Sequence, residues 1–299
     1  MLALIFQIIF SSAFTLLIKW GQVRKKEDVL TFGAINYIVA ALLILPVFLL
    51  NRPEKLSMGA IYAGSSMGLI YFVAYFLAVS AIRRVGAASA SVVSVLSILF
   101  PIVLFAVFFN EQPNLTQIIG ISLALSALTL ISAQKPAKQD VSYQVAGRTE
   151  VESGPSWTVP LVLFSFFLLC GLSRVAQEAF KHLVELEHQA EQRPTFLLSA
   201  FGMAALPSVA MLLFRRKKIQ PMEFGVGFAM GLSNILQTFF ILQALEFFAG
   251  FIVFPISSAG GVVLVTIVAT RLLGERLNGR TYVGILLSVI ALFLLNSSG

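Results

Sequence analysis

"GERLNGRTYVG", Gly274 to Gly284, leads into the last apolar stretch of the chain, and a blurred copy, "NEQPNLTQIIG", occupies Asn110 to Gly120. Glu111 and Glu275 stand 164 positions apart, and the same offset pairs Gly86 with Gly250, Ser94 with Ser258, Asn114 with Asn278, Gly120 with Gly284 and Ala127 with Ala291. Tyr75-Phe76 falls on Phe239-Phe240 in the same register. Apolar composition aligns greasy residues by chance, but not Glu, Asn and Gly together. The chain reads as a duplication.

What is duplicated is a block of membrane spans. Of 299 residues, 58% are hydrophobic and only 12% charged, against about 25% charged in a soluble domain. Such a chain cannot clothe a core in polar side chains, so lipid is the solvent for most of it. A span needs roughly 20 apolar residues. Ten stretches qualify: Leu2–Trp20, Val29–Leu50, Ser57–Ile82, Val85–Phe109, Leu115–Ala133, Trp157–Phe180, Pro194–Phe214, Met222–Glu246, Phe247–Leu273 and Arg280–Leu295. None alternates like a barrel strand. The divisions at "AIRRVGAAS" and "ALEFFAGF" are the slightest. The amino terminus lacks the basic region of a signal peptide, and "MLALIFQIIF" reads as a span that stays.

The predicted fold is therefore an all-α membrane protein of ten transmembrane helices in two inverted five-helix repeats. Residues 1–134 form the first repeat, residues 135–156 a polar linker with Pro and Gly, and residues 157–299 the second. Five crossings leave the chain on the opposite face, so the second block enters upside down. Inverted repeats are a recurrent build of secondary transporters, whose substrate site lies near mid-membrane between the repeats.

Lys and Arg gather in the odd-numbered loops, as at Arg24, Lys25, Lys26 and at Arg215, Arg216, Lys217, Lys218, whereas the loop after the sixth span carries Glu185, Glu187 and Glu191. Taken alone, this bias puts both termini outside. The net charge of +7 is scattered, with no basic tract or aromatic platform, so nucleic acid is not an expected partner. Cys170 is the one cysteine and cannot make an internal disulfide; with His182 and His188 it builds no metal cage. No nucleotide-binding glycine loop, HExxH motif or Ser-His-Asp set occurs, so neither an enzyme nor a cofactor is expected, and ATP-driven transport would need another subunit.

Two five-helix halves, each closing on a Glu-bearing turn, an Asn and a Gly-containing last helix, resemble the EamA family of the drug/metabolite transporter superfamily. "GERLNGRTYVGILLSVIALFLL" is similar to that family's closing signature and "NEQPNLTQIIGISLALSALTLI" to its first-half version, with Asn110 where the pattern has Gly. The resemblance implies a multi-pass transporter of a cell membrane, such as a bacterial inner membrane, and export rather than uptake. It also implies cytoplasmic termini, against the loop charges.

Several side chains are candidates for the site. In "GLSRVAQEAFKHL", Arg174, Glu178 and Lys181 share one helix face, with Gln177 beside them. Arg174 lies well inside an apolar run, where a charge faces a cavity or a partner. It is either the anchor for an anionic solute or the partner of Glu178, which would otherwise be a protonatable switch. On the first span, Gln7, Ser11 and Thr15 form one stripe, either lining a cavity or bonding back to their own backbone. On the eighth, Ser233, Asn234, Gln237 and Thr238 make a polar patch, read as substrate contact or helix packing. Tyr71 and Tyr75 occupy the matching region of the third span and can stack on a solute while donating a hydrogen bond. Ser94 and Ser258, on helices rich in small residues, read as close helix packing or as flanking the same centre. Pro101 and Pro255 are possible kinks. Glu111 and Glu275 read as structural carboxylates before helices capped by Asn114 and Asn278, with gating or coupling as the alternative.

The expected function is secondary transport, by alternating access, of a small polar metabolite such as an amino acid or organic anion. Proton coupling through Glu178 and a monomer or homodimer in the lipid bilayer complete the expectation. The alternative is a flippase for a lipid-linked sugar or similar amphiphile, which would open sideways to lipid. A receptor or scaffold would show no solute flux.

Overall fold

The structure, a computed structural model, describes residues 2–23, 28–51, 53–100, 115–132, 158–216, 218–247, 250–272 and 279–296. Of these 92% are helical and none lies in a strand. Lipid imposes this, because a helix satisfies its own backbone polar groups where no water can. The helices are α1 (Leu2–Val23), α2 (Val29–Leu50), α3 (Met58–Val85), α4 (Ala87–Leu96), α5 (Leu115–Ser132), α6 (Thr158–Leu183), α7 (Gln189–Arg215), α8 (Pro221–Phe247), α9 (Gly250–Arg271) and α10 (Gly279–Asn296). Six of them, α1, α2, α3, α6, α7 and α8, are long and apolar enough to cross a membrane by length and composition. The linker at 135–156, Glu111, Glu275, Asn114, Asn278, Pro101, Arg24, Lys25, Lys26 and Lys217 lie outside the described residues.

Local chemistry sets the helix ends. Asp28 accepts a hydrogen bond from Leu30 N (3.1 Å) at the head of α2, and Ser57 one from Ala60 N (3.4 Å) at the head of α3. The slight division in "AIRRVGAAS" is a turn on Gly86, whose φ of +87° belongs to glycine. The division in "ALEFFAGF" falls between Phe247 and Gly250. The seventh span departs from expectation, because α7 begins at Gln189, five residues before Pro194. Buried partners hold that first stretch. Gln189 donates to Lys181 O (2.9 Å) and Val184 O (3.1 Å), while Gln192 donates to Lys55 O (2.7 Å) and accepts from Ser57 N (3.1 Å). Much of the supposed acidic loop is thus structured, including a short 3-10 turn at Leu186–His188.

The packing interleaves the two halves. The main contacts are α3 on α6 and α7, α8 on α1 and α2, α1 on α9, α4 on α6 and α9, α2 on α7, and α5 on α10. Exchanging α1–α5 with α6–α10 maps this set onto itself. Glycines carry the closest approaches. A Cβ on Gly64 or Gly68 of α3 would stand 2.4 Å from Phe196 O or 2.2 Å from Ala200 O of α7. On Gly227 or Gly231 of α8 it would stand 2.6 Å from Ile35 Cβ or 2.7 Å from Asn36 O of α2. Each pair is a small-xxx-small seam that lets two backbones touch.

The contacts also fix direction. α3 runs alongside α7 and α8 alongside α2, both in parallel, because contact numbers rise together. Arg215 at the end of α7 pairs with Asp28 at the start of α2 (2.6 Å), so α2 and α7 are antiparallel, and α3 and α8 run in opposite directions. One end of the bundle carries Asp28, Arg215 and a fully buried Glu223, which accepts from Asp28 N (3.2 Å) and Gln220 N (3.0 Å). The other carries an ion pair between Arg193 and Glu246, with the guanidinium 4.9 Å from the Phe239 ring. Large apolar side chains such as Leu50, Leu213, Phe214 and Phe293 are exposed around the outside, as lipid contact requires.

Candidate functional site

A cavity of about 230 Å³ lies between the halves, walled by α1, α3, α4, α6, α8 and α9, with Tyr37 of α2. It gathers Gln7, Ser11, Thr15, Tyr71, Tyr75, Arg174, Gln177, Asn234, Gln237 and Thr238. Glu178 and Ser233 are not in its wall. Glu178 lies one turn beyond Arg174 and faces Lys181 and His182 (3.7 Å each), and Ser233 is buried beside the patch.

The lining shows an internal register that the quoted turns do not follow. Tyr71, Ala74, Tyr75 and Ala78 on α3 match Asn234, Gln237, Thr238 and Ile241 on α8 at an offset of 163, as do Gly64 and Gly68 with Gly227 and Gly231. A one-residue slip therefore separates these helices from the 164 of the turns. Ser94 and Ser258 keep 164, and both meet Arg174.

Arg174 is the one charged group among the described lining residues. Its Nη2 donates to Ser94 O (3.3 Å) and Ser258 Oγ (3.4 Å), its Nε donates to Ser97 Oγ (3.3 Å), and its guanidinium lies 5.3 Å from the Phe254 ring. No carboxylate pairs with it among the described residues. The Arg174–Glu178 pair that the spacing allowed does not form. A half-buried guanidinium held only by neutral oxygens and a ring keeps an unmet demand for an anion.

The amides form short chains around it. Gln177 Nε2 donates to Tyr71 Oη (3.3 Å), Gln237 Nε2 to Asn234 Oδ1 (2.9 Å), and Asn234 Nδ2 to Asn36 Oδ1 of α2 (3.2 Å). Ser257 Oγ donates to Gln7 Oε1. Other polar groups serve the scaffold: Tyr75 Oη donates to Val29 O and Tyr37 Oη to Tyr71 O (2.6 Å each). Ser11 and Thr15 bond back to Ile8 O (3.1 Å) and Ser11 O (3.2 Å) while still edging the cavity. Sequence reasoning missed Asn36, Tyr37, Ser12, Ser91, Ser97 and Ser257. An Asn within "GAINYIVAA" was the available signal, since an amide in hydrocarbon needs a partner.

The polarity is graded along the bundle. Gln7, Arg174, Gln177, Gln237, Ser257 and Ser258 lie toward the Arg193 end of their helices. Ile18, Ala78, Ile82, Phe166 and Val265 lie toward the Asp28 end. Ile241 and Val95 are apolar exceptions toward the Arg193 end, and Thr15, Tyr37, Tyr75 and Ser91 are polar ones toward the Asp28 end.

A polar chamber among apolar helices is a feature of carriers. Residues 1–133 match the EamA-like transporter family. Over those residues the chain is similar to that family. The family's members are membrane transporters, and the protein is an integral membrane protein. An uncharacterized protein of Haemophilus influenzae is 25% identical, the match covering 98% of this chain and 96% of that protein. A solved crystal structure, 17% identical, superposes with a TM-score of 0.61 over 98% of this chain and 94% of its own. That likeness concerns the fold.

Proposed function

We propose that the protein is a secondary transporter that exports small polar metabolites, amino acids or organic anions, across a bacterial cell membrane by alternating access. The observation that carries this reading is Arg174. It is an uncompensated guanidinium in a central cavity, contacted by Ser94 and Ser97 from one half and Ser258 from the other. A solute anion there would complete the missing pair and touch both halves at once. The two halves are read as inverted five-helix repeats, 1–134 and 157–299, joined by the linker at 135–156 and rocking about that point. The opposed directions of α3 and α8 and the exchange symmetry of the packing support this. Gln7, Ser11, Thr15, Tyr71, Tyr75, Gln177, Asn234, Gln237 and Thr238 would shape the remainder of the site. The position of Glu178 outside the wall speaks against direct solute contact and leaves it a coupling role through Lys181 and His182.

Solute flux into proteoliposomes tests the proposal. Wild type should move organic anions or amino acids, with a rate that responds to a pH gradient, and Arg174→Ala and Gln237→Ala should each lose most of that flux. If both variants transport every solute like wild type, the site assignment fails. The flippase alternative would require a lipid-facing slot into the cavity, and no observation favours it over the solute reading.

A further inference from the structure

We propose that the cavity selects small monoanions with an apolar or aromatic body over zwitterionic amino acids of the same shape. The inference rests on Arg174 being the solute anchor and names the class that anchor takes.

Charge makes the first argument. The described lining holds one cation and no Asp or Glu. A carboxylate on Arg174 is met, but the ammonium of an amino acid would then sit in a low-dielectric chamber without a counter-charge. Of the lining amide oxygens, Asn234 Oδ1 already accepts from Gln237 and Gln7 Oε1 from Ser257, which leaves Gln177 Oε1 and Gln237 Oε1, neutral acceptors that bring no charge to offset an ammonium. Tyr71 in the same wall offers an aromatic alternative, and a ring face replaces an ion pair poorly. A dianion fares no better, because its second charge finds no second cation.

Shape makes the second. The polar lining clusters toward the Arg193 end, around Arg174, Gln177 and Gln237, and the apolar lining toward the Asp28 end, around Ile18, Ile82, Phe166 and Val265. A charged head and a greasy body would lie lengthwise, head on Arg174. The cavity, at about 230 Å³, falls below the roughly 300–1,000 Å³ of sites for drug-sized ligands, so the body is about one ring in size.

Three probes with one aromatic body separate the possibilities: phenylpyruvate (anion), phenylalanine (zwitterion) and phenethylamine (cation). Titration calorimetry on the full-length protein in nanodiscs should show phenylpyruvate binding roughly tenfold or more tighter than phenylalanine, with phenethylamine weakest. Arg174→Gln should remove the preference and Arg174→Lys should keep its order. Gln177→Glu would place a carboxylate beside Tyr71 and one turn from Arg174, and should turn the preference toward phenylalanine. This gain cannot arise from misfolding. Equal or tighter binding of phenylalanine by wild type, with both ligands weakened by Arg174→Gln, overturns the selectivity and leaves the anchor standing. Binding that ignores Arg174 overturns both. Failure of phenylpyruvate to bind at all overturns the selectivity as well.

Discussion

Alanine at Gly68 and alanine at Gly202 are the same chemical change, and the packing gives them opposite signs. At Gly68 the new Cβ would stand 2.2 Å from Ala200 O and 3.0 Å from Met203 Cβ. Ordinary contact requires α3 and α7 to part by about 1 Å, and a gap of that size forfeits roughly a quarter to a half of each dispersion contact along the seam. Overpacking of this kind costs about 1–3 kcal/mol, while the better helix propensity of alanine returns at most about 1 kcal/mol. At Gly202, also on α7, nothing lies within 4 Å, so only the propensity gain remains. Thermal unfolding in detergent, followed by helical circular dichroism, should place Gly68→Ala a few degrees below wild type and Gly202→Ala level with it or above, at about 2–4 °C per kcal/mol. The seam on α2 gives the internal check, because Gly227→Ala meets Ile35 Cβ at 2.6 Å and should behave like Gly68→Ala. Equal melting of Gly68→Ala and Gly202→Ala would refute the close approach of α3 and α7.

Glu246→Gln should destabilise by about 3 kcal/mol, because it strands a buried Arg193 whose Nε already lacks a partner; adding Arg193→Met should recover much of that loss in a double-mutant cycle read by chemical unfolding. Tyr75→Phe removes the bond to Val29 O and should cost about 0.5–1.5 kcal/mol in the same assay, with solute affinity nearly unchanged because the hydroxyl faces the scaffold. Ser12→Ala and Ser91→Ala delete buried hydroxyls that have no hydrogen-bond partner among the described residues, so each should leave the melting temperature level or raise it. A fall of several degrees in either would mean that the hydroxyl has a partner.

The all-helical fold was legible because its signal is long and crude: runs such as Val29–Leu50 need only be apolar and uninterrupted. The start of α7 was not legible. Gln189, Gln192 and Arg193 look like loop residues in sequence, and they join the helix because distant carbonyls, a distant amide and Glu246 bury them. Periodicity placed Arg174 and Glu178 on one helix face with Gln177 beside them, yet the cavity wall takes Arg174 and Gln177 and leaves Glu178 out, and only the neighbouring helices define that edge. Likewise Ser233 and Asn234 are adjacent in a polar patch, and a turn of about 100° carries one into the wall and the other out of it. The glycine seams were readable as Gly64-xxx-Gly68 and Gly227-xxx-Gly231. They went unread because the offset of the flanking turns misses them by one residue.

Arg174 has a counterpart across the interleaved halves. It meets Ser97 at the end of α4, and the residue 164 positions after Ser97 is Gly261, which faces Ser11 of α1. The frame is nearly twofold, but its charge is single. Were the two blocks separate, identical subunits, any arginine at this level would appear twice in one small chamber, and the two guanidiniums would repel across it. One continuous chain lifts that constraint: it can hold a single arginine on one side of the chamber and Ser11 on the other, so the charge there stays single.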